Sequence, residues 1–479
     1  MDSCIRIAML QRELFRILDE FFQRATGHKP LEFATFDSFG AKVNSEAARL
    51  AQRSMSAFPY VYDALSDFYT KHGVELFTEA KNLSGLNFVL GGSSRFFQSQ
   101  FDSVRKVALY ADTTFIPDPI LPWIEAPRAE ERFRNVLFLE TIFVLLHLKP
   151  LVDADLPYPA VVIFPSYEKS LENLDATTQQ GINDLLLGIL SGHLGRKFGN
   201  MQELVSFAAS NESEFLRTVD DNHLFVAPNG GIGQPLGAAL DDYLEVLKEW
   251  RSNEQVSTAS KMSRSMLTLQ GLAERIGPQY HLLENAEKLS SSPMVCLPSH
   301  WHYYCMACQF FEQRLKLRGL LDQATIDTVR AINQPEFRWL GNIPVDQLVT
   351  LRHNNENEEF RRQIKDRISE LHGARLNDLN QITSEVSRSI ASLLLDHQKQ
   401  MAALEDKYQS KYRKIALGSW VTLAAMLVPA LAPLVGVLAP FAIGGEYIHT
   451  KQSERKESAA AARSLMGVLA AANDPNGNE

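Results

Sequence analysis

Residues 415–445 contain no charged side chain, and this uninterrupted run limits the possible folds more than any other part of the sequence. Elsewhere the polarity is ordinary, since charged residues make up 22% of the whole sequence. About 20 apolar residues are enough to cross the hydrocarbon core of a bilayer as a helix. The run therefore favours contact with a membrane, or burial as a hairpin inside a protein assembly.

Prolines divide this hydrophobic run. Pro429, Pro433 and Pro440 each remove a helical hydrogen-bond donor and clash with the preceding turn. The two main pieces, 415–428 and 434–445, would be only about 21 and 18 Å long as helices. Three arrangements stay open: a re-entrant or wedge-like hairpin, a single proline-kinked span, and a hairpin buried in a soluble oligomer.

Basic residues flank the run at both ends, and they predict that both ends lie on the cytoplasmic side of a membrane. They are Lys407, Lys411, Arg413 and Lys414 before the run, and Lys451, Arg455, Lys456 and Arg463 after it. The side chains that we expect to contact lipid are Trp420, Leu423, Leu427, Leu431, Leu434, Val437 and Phe441.

A repeat of eleven residues precedes the run. Its columns are Ile368, Leu379, Ile390, Met401 and Tyr412; Leu371, Ile382, Leu393, Leu404 and Ile415; and Ile364, Arg375, Val386, His397 and Tyr408. Eleven residues in three turns give about 3.67 residues per turn, so the apolar stripe is nearly straight on a helix. The stripe at 360–415 indicates either a helix packed on its own body, or a stalk that pairs with a second copy or a protein partner.

The rest of the chain has mainly helical periodicity. Predicted helices cover the N-terminal segment around Ile7–Phe21 and residues 47–77, 133–148, 171–198, 236–250 and 298–321. Short strands are predicted at Asn87–Leu90, Ala160–Phe164 and His223–Ala227. Prolines from Pro117 to Pro127 indicate an irregular connection, and the polar segment 253–265 indicates a break.

These patterns predict a mainly α fold, in which a helical globular body with at most a small sheet precedes the stalk and the hydrophobic hairpin or span. The predicted segments are a helical body at 1–255, a second helical subdomain at 256–350, the stalk at 351–414, the hydrophobic membrane segment at 415–447 and an Ala-rich helical tail with a disordered end at 448–479.

Composition restricts the partners and the compartment. The formal net charge of −9, without a clustered basic face outside the flanks of the run, argues against nucleic-acid binding. Four unevenly spaced cysteines cannot form a disulfide framework, which indicates a reducing compartment.

One segment contains residues of the types that bind zinc: Cys296, His302, Cys305 and Cys308. Structural zinc sites normally have two ligand pairs separated by a dozen or more residues, whereas Cys296 and Cys305 are closer together than that. The same segment is also typical of an aromatic-rich buried helix. We therefore expect no cofactor, and zinc binding stays the alternative.

Two glycine-rich segments follow predicted strands, at 91–94 and 230–237. Backbone amides at such positions can bind phosphate. Neither segment has the lysine followed by Ser or Thr that a Walker loop requires, and Pro235 breaks the dinucleotide-binding spacing. Turn chemistry explains both segments.

Arg367 with His372, and Arg275 with His281, have a spacing that some helical RNases use for phosphate binding and proton transfer. Such a short pattern also occurs by chance. We therefore expect no catalytic residue, and a helical RNase with Arg367 and His372 in its site stays the alternative.

Residues 337–364 contain a Pro-initiated short helix that ends in Arg, followed by a Phe-Arg pair that opens a long helix. The positions are Pro344, Leu348, Leu351, Arg352, Phe360 and Arg361. The segment resembles uncharacterised bacterial proteins of mobile elements and anti-phage loci. This resemblance implies a bacterial defence or stress role, and it does not indicate any particular activity.

We thus expect a non-enzymatic bacterial protein of the cytoplasm, associated with the inner membrane, whose stalk delivers the hydrophobic run to lipid. A homo-oligomer or a protein partner is expected at the stripe. The alternative is a soluble oligomeric enzyme, either zinc-dependent or a helical RNase, with the hairpin buried in its interface.

Overall fold

The structure is a computed structural model of the full chain. It describes residues 2–33, 36–45, 47–91, 101, 104–105, 107–125, 131–165, 174–228, 230–250, 253–295, 298–317, 322, 324, 339–340, 345–355, 358–372, 378, 380–386, 388–390, 392–393, 396 and 417–418. These residues are 72% helical and include a four-stranded parallel sheet. The prediction of a mainly α fold with a small sheet is therefore confirmed.

The elements are numbered along the chain. The helices are α1 Ser3–Thr26, α2 Phe36–Ser45, α3 Ala47–Lys81, α4 Leu121–Glu125, α5 Glu131–Leu146, α6 Lys149–Asp153, α7 Leu174–His193, α8 Met201–Ser210, α9 Glu212–Asp221, α10 Leu236–Trp250, α11 Asn253–Ser260, α12 Arg264–Lys288, α13 Pro298–Leu317, α14 Val345–His353 and α15 Glu358–His372, with a 3-10 turn at Pro30–Glu32. The strands are β1 Asn87–Gly91, β2 Thr113–Pro117, β3 Val161–Phe164, β4 Ser292–Val295, β5 Trp339–Leu340 and β6 Leu417–Gly418.

The sheet has the strand order β3-β2-β1-β4, and all of its strand pairs are parallel. Nearly all of its side chains are buried, which is typical of a parallel sheet covered on both faces. Helix α12 packs on β1, and α1 and α3 contact β3. β5 and β6 form a separate antiparallel pair.

Helix α1 begins and ends at strong capping residues. The side chain of Asp2 accepts a hydrogen bond from the backbone N–H of Cys4, and Gly27 closes the helix in the left-handed conformation. Its apolar residues recur every three or four positions and pack on α3 and α5. The N-terminal helix predicted from this periodicity is confirmed.

Gln11, on the buried face of α1, closes the outer edge of the sheet. Its side-chain amide donates to the carbonyl oxygen of Ile163 at 2.7 Å and accepts from the N–H of Ile163 at 2.9 Å. Ile163 belongs to β3, the edge strand, whose outer backbone groups would otherwise be exposed for pairing. A single glutamine thus replaces the neighbouring strand.

Replacing Gln11 with Leu should lower the free energy of unfolding by about 2–4 kcal/mol, because a buried N–H and a buried C=O both lose their partner. Gln23→Leu is the matched control, since Gln23 is an exposed residue of the same helix. Its effect should stay within about 0.5 kcal/mol. Denaturant unfolding of the three proteins measures the difference, and equal effects of the two substitutions would contradict the assigned role of Gln11.

An ion pair links α1 to α3. Arg6 donates two hydrogen bonds to Glu75, at 2.5 and 2.7 Å, and the Nδ1 atom of His72 lies 2.9 Å from the same carboxylate. The hydrogen bonds from Arg6 and then from His72 lower the pKa of Glu75 to about 2. Its carboxylate is therefore more stable in the folded chain than in the unfolded chain.

This lowered pKa predicts a pH-dependent part of the stability. Because the folded pKa lies below the ordinary value of 4.5, the contribution of Glu75 is fully present above pH 4.5 and is lost as the pH falls towards 2. Glu75→Gln should therefore destabilise the protein near neutral pH and have a shrinking effect in acid. Thermal melts across this range test it, with Glu214→Gln on the exposed surface of α9 as the control. An effect of Glu75→Gln that does not change with pH would refute it.

Two predicted strands are confirmed, and one is wrong. Asn87–Leu90 and Ala160–Phe164 correspond to β1 and β3. Residues 223–227 do not form a strand. The N–H and C=O of Val226 bond instead to the hydroxyl of Tyr303, at 2.8 and 3.2 Å. The side chain of Tyr303 takes the place of a neighbouring strand.

The remaining differences concern prolines and a polar segment. Pro117 ends β2 and Pro293 lies within β4, so the irregular connection predicted from Pro117 begins with a strand. Pro293 is tolerated because β4 is an edge strand.

The break predicted at 253–265 is wrong for its first part, since α11 occupies Asn253–Ser260. The predicted helices at 47–77, 133–148, 171–198, 236–250 and 298–321 correspond to α3, α5, α7, α10 and α13.

Part of the eleven-residue repeat lies within the described residues. Ile364, Val386 and Ile390 are buried in the hydrophobic core, and Ile382 and Leu393 pack against it. At these five described positions the stripe packs on the chain's own body. Within the part of the chain that the structure describes, no helix is long and apolar enough to cross a bilayer.

Candidate functional site

The first candidate feature is the attachment of α14 and α15, at the start of the predicted stalk, to the body. Arg352, near the end of α14, donates hydrogen bonds to the carbonyl oxygens of Ala108 at 2.9 Å and Asp112 at 2.8 Å, and also to that of Ala111. Its side chain is buried, and burial followed by the charge of Arg361 lowers its pKa to about 10. The guanidinium remains charged at neutral pH, and three carbonyl oxygens stabilise it.

Arg361 attaches the first turns of α15 to the same place. Its Nε atom donates to the Oδ1 atom of Asp112 at 2.8 Å, and its Nη1 atom donates to the carbonyl oxygen of Leu109 at 3.0 Å. The second carboxylate oxygen of Asp112 accepts the N–H of Leu86 at 2.8 Å. Since Leu86 precedes β1 and Asp112 precedes β2, the pair attaches α15 to the amino-terminal edge of the sheet. We call Asp112, Arg352 and Arg361 the stalk clamp.

Apolar contacts surround the stalk clamp. Leu348 and Leu351 of α14 are buried, and the ring of Phe360 meets that of Tyr110 edge-on, with centroids 6.2 Å apart. Arg352, Phe360 and Arg361, three residues of the pattern at 337–364, therefore attach α14 and α15 to the segment before β2. Pro344 lies outside the described residues.

The second candidate feature is the carboxyl-terminal edge of the sheet, opposite the amino-terminal edge where the stalk clamp lies. β2 lies on one side of β1 and β4 lies on the other, so the strand order reverses between β1 and β4. Crevices that bind ligands in parallel α/β sheets form outside the carboxyl ends of the strands at such a point. Gly91 and Val295, the last residues of β1 and β4, are paired in register there.

Helix α12 covers this edge with one of its faces. Leu282 packs on Gly91 so closely that a Cβ atom on Gly91 would lie 2.3 Å from Leu282 Cδ2. Gln279 and Arg275 precede Leu282 by three and seven residues, and this spacing places them on the same helical face. Gln279 is completely buried, and neither its amide nitrogen nor its amide oxygen has a hydrogen-bond partner among the described residues.

Aromatic rings support Arg275. Its guanidinium carbon lies 4.6 Å from the ring centre of Tyr243 and 5.0 Å from that of Phe225, and its Nη1 atom donates to the carbonyl oxygen of Gly271 at 2.9 Å. The side chain of Arg275 is half-buried, so its positive charge is held in place beside the carboxyl-terminal edge of the sheet. Cation–π contacts of this kind orient a guanidinium without neutralising it.

Helix α13 starts directly beyond β4 and completes this region. Ser299 and His300, in its first turn, are both buried, and the Oγ atom of Ser299 donates to the carbonyl oxygen of Pro228 at 3.4 Å. Burial, and secondly the charge of Arg275, lower the pKa of His300 to about 4. His300 is therefore neutral at physiological pH. We call Gly91, Arg275, Gln279, Ser299 and His300 the switch-point cluster.

The residues predicted for zinc do not assemble in the described part of the chain. His302 is half-buried on α13, where burial lowers its pKa to about 4, and Cys305 is buried and does not form a disulfide. Cys296 and the side chain of Cys308 lie outside the described residues. Among those described, no group of three or more His, Cys, Asp or Glu side chains is arranged to bind a metal ion.

The two predicted arginine–histidine pairs are described to different extents. Arg367 makes a surface ion pair with Glu370 at 2.6 Å, and the side chain of His372 is outside the described set. Arg275 and His281 are six residues apart on α12, which places them about 120° apart around the helix.

The two glycine-rich segments differ in how far they are described. Gly91 ends β1, and residues 92–94 are outside the described set. Residues 230–234 turn tightly before α10, with a hydrogen bond of 2.9 Å from Gly230 N to Ala227 O.

The predicted lipid-contacting residues from Trp420 to Phe441 lie outside the described residues.

Comparisons with known proteins provide no relatives for this chain. No family model matches the sequence, and no curated protein or solved structure is significantly similar to it. Its function has to follow from its own residues.

Proposed function

We propose that this is a membrane-associated bacterial protein, whose mainly helical body and stalk deliver the hydrophobic segment 415–447 to the inner membrane. The observation that carries the proposal is the uncharged run at 415–445 with basic flanks on both sides. Charged residues occur throughout the rest of the sequence, so this run is the part of the chain suited to a lipid solvent.

The energetics of burial support a lipid environment. Each methylene group transferred from water to an apolar phase contributes about 0.8 kcal/mol, and the run contains more than a dozen large aliphatic or aromatic side chains. An apolar surface of this size, exposed to water, causes aggregation. The run therefore needs a cover, and lipid between two basic flanks provides it.

The stalk clamp supports the second half of the proposal. Because Arg352 and Arg361 are buried against the sheet, α14 and α15 are a firmly attached part of the body. The chain that leads to the membrane segment therefore starts from a fixed point. We further propose that a second copy or a protein partner pairs with the stripe at 360–415 at positions other than Ile364, Val386 and Ile390, which the chain's own core buries. The proposed role is anti-phage defence or stress response, as the resemblance at 337–364 implies.

A pair of deletions tests the proposal. Removing residues 416–445 should transfer the protein from the membrane pellet to the soluble fraction. Removing residues 448–479, a segment of similar length without the run, is the control and should leave the protein in the pellet. If the protein lacking 416–445 still pellets with membranes, membrane attachment through this run is wrong. If the intact chain is instead a soluble oligomer of defined size, the hairpin buried in an oligomer is the correct arrangement.

A further inference from the structure

We propose that the switch-point cluster binds a phosphate-bearing small molecule. This site lies at the edge of the sheet opposite the stalk clamp, and it is independent of membrane attachment. Neither glycine-rich segment of the sequence matches a known phosphate-binding pattern, so the geometry of Gly91, Arg275, Gln279, Ser299 and His300 carries the proposal.

Gln279 indicates that something is bound there. Buried side-chain amides in folded proteins are nearly always hydrogen-bonded. Gln279 is completely buried and has no partner among the described residues. One turn further along the same face, Leu282 covers the end of β1. This helical spacing places Gln279 beside the point where the strand order reverses. An unpaired amide at the position where parallel sheets bind their ligands is explained if a ligand completes its hydrogen bonds.

The surrounding chemistry selects an anion. The amino-terminal end of α13, a long helix, contributes a positive dipole and backbone N–H groups next to Ser299 and His300. Arg275, one turn before Gln279, contributes a full positive charge. A guanidinium has several N–H donors, of which one is engaged by the carbonyl oxygen of Gly271.

Two acidic residues, Asp118 and Glu274, belong to segments next to the cluster, and both bind groups outside it. The Oδ1 atom of Asp118, at the end of β2, accepts the N–H groups of Ile120 and Leu121 and caps α4. Glu274, the neighbour of Arg275 in α12, accepts the hydroxyl of Tyr243 at 2.7 Å and a side-chain N–H of Gln270 at 3.0 Å. The hydrogen bonds named here go to groups outside the switch-point cluster. None of the five cluster residues is acidic, and Arg275 carries a positive charge.

Calorimetric titration of the full-length protein in mild detergent tests the inference. The probes are adenosine triphosphate, adenosine monophosphate and inorganic phosphate, and we expect saturable binding of at least one. Gln279→Leu should weaken that binding by roughly 10- to 100-fold, because a hydrogen bond to a charged ligand is lost. Arg275→Met should weaken it by at least as much. Gln270→Leu, on the same helix and outside the cluster, is the matched control and should bind like the wild type.

The thermal midpoint separates a binding role of Gln279 from a structural one. Leu has nearly the shape of Gln, and it removes an amide that is buried without a partner. The midpoint of Gln279→Leu without ligand should therefore be equal to or higher than that of the wild type. The inference is overturned if none of the three probes binds, or if binding survives both Gln279→Leu and Arg275→Met. It is also overturned if Gln279→Leu lowers the thermal midpoint of the protein without ligand. The protein lacking residues 416–445 should retain binding, so a failure of the membrane proposal is distinguishable from a failure here.

Discussion

Arg361→Met is expected to lower the free energy of unfolding by about 3–5 kcal/mol. The substitution keeps most of the aliphatic stem of Arg361 but leaves the buried carboxylate of Asp112 without its cation, and breaking one side of a buried ion pair has this cost. The carbonyl oxygen of Leu109 loses its donor as well. Chemical denaturation of the full chain in mild detergent measures the change.

The next residue in the chain provides the control. Arg362 pairs with Glu359 and Asp366, but its side chain is 58% exposed. Because exposed ion pairs contribute little, Arg362→Met should change the free energy of unfolding by less than about 1 kcal/mol. The stalk clamp would be refuted as the attachment of α15 if the two neighbouring substitutions had equal effects. Arg352→Met should resemble Arg361→Met, since three buried carbonyl oxygens lose their donor.

Leu423→Arg is expected to reduce the membrane-bound fraction strongly. An arginine near the middle of a membrane-inserted helix costs about 2.5–3.5 kcal/mol on insertion scales, which corresponds to roughly a 100-fold change in partitioning. Leu423 lies within the first main piece of the hydrophobic run. Flotation of the full chain with liposomes measures this partitioning.

Ser453→Arg is the matched control for this substitution. It introduces the same charge among the basic residues that follow the run, where a further arginine lies in the interfacial region. Its partitioning should equal or slightly exceed that of the wild type, since anionic lipids attract basic flanks. Equal flotation of Leu423→Arg and the wild type would mean that Leu423 does not contact lipid.

The helices of the body could be predicted well, because each buries one face and therefore repeats its apolar residues every three or four positions. The segment 236–250 coincides with α10, and 298–321 contains α13. The strands were harder to predict. A buried parallel strand of four or five residues has no alternating pattern, and proline within β4 argues against a strand until its place at the sheet edge is known.

The candidate sites depend on contacts that a sequence does not contain. The arginines of the stalk clamp belong to a recognisable pattern, but Asp112, their buried partner, lies 249 residues before Arg361 and carries no local signal. Gln279 looks like any polar residue of an amphipathic helix. Its importance comes from complete burial without a partner, which only the fold reveals. Tyr303 similarly replaced a predicted strand through one hydroxyl group.

Alkaline carbonate extraction of membranes that contain the intact chain would decide whether residues 415–445 are buried in lipid. Carbonate removes proteins that are held by charge or by other proteins, whereas a segment buried in lipid is released only by detergent. We predict that the intact chain stays in the carbonate pellet and becomes soluble after detergent is added. Complete recovery in the carbonate supernatant, as a monodisperse particle without detergent, would contradict lipid burial of this run.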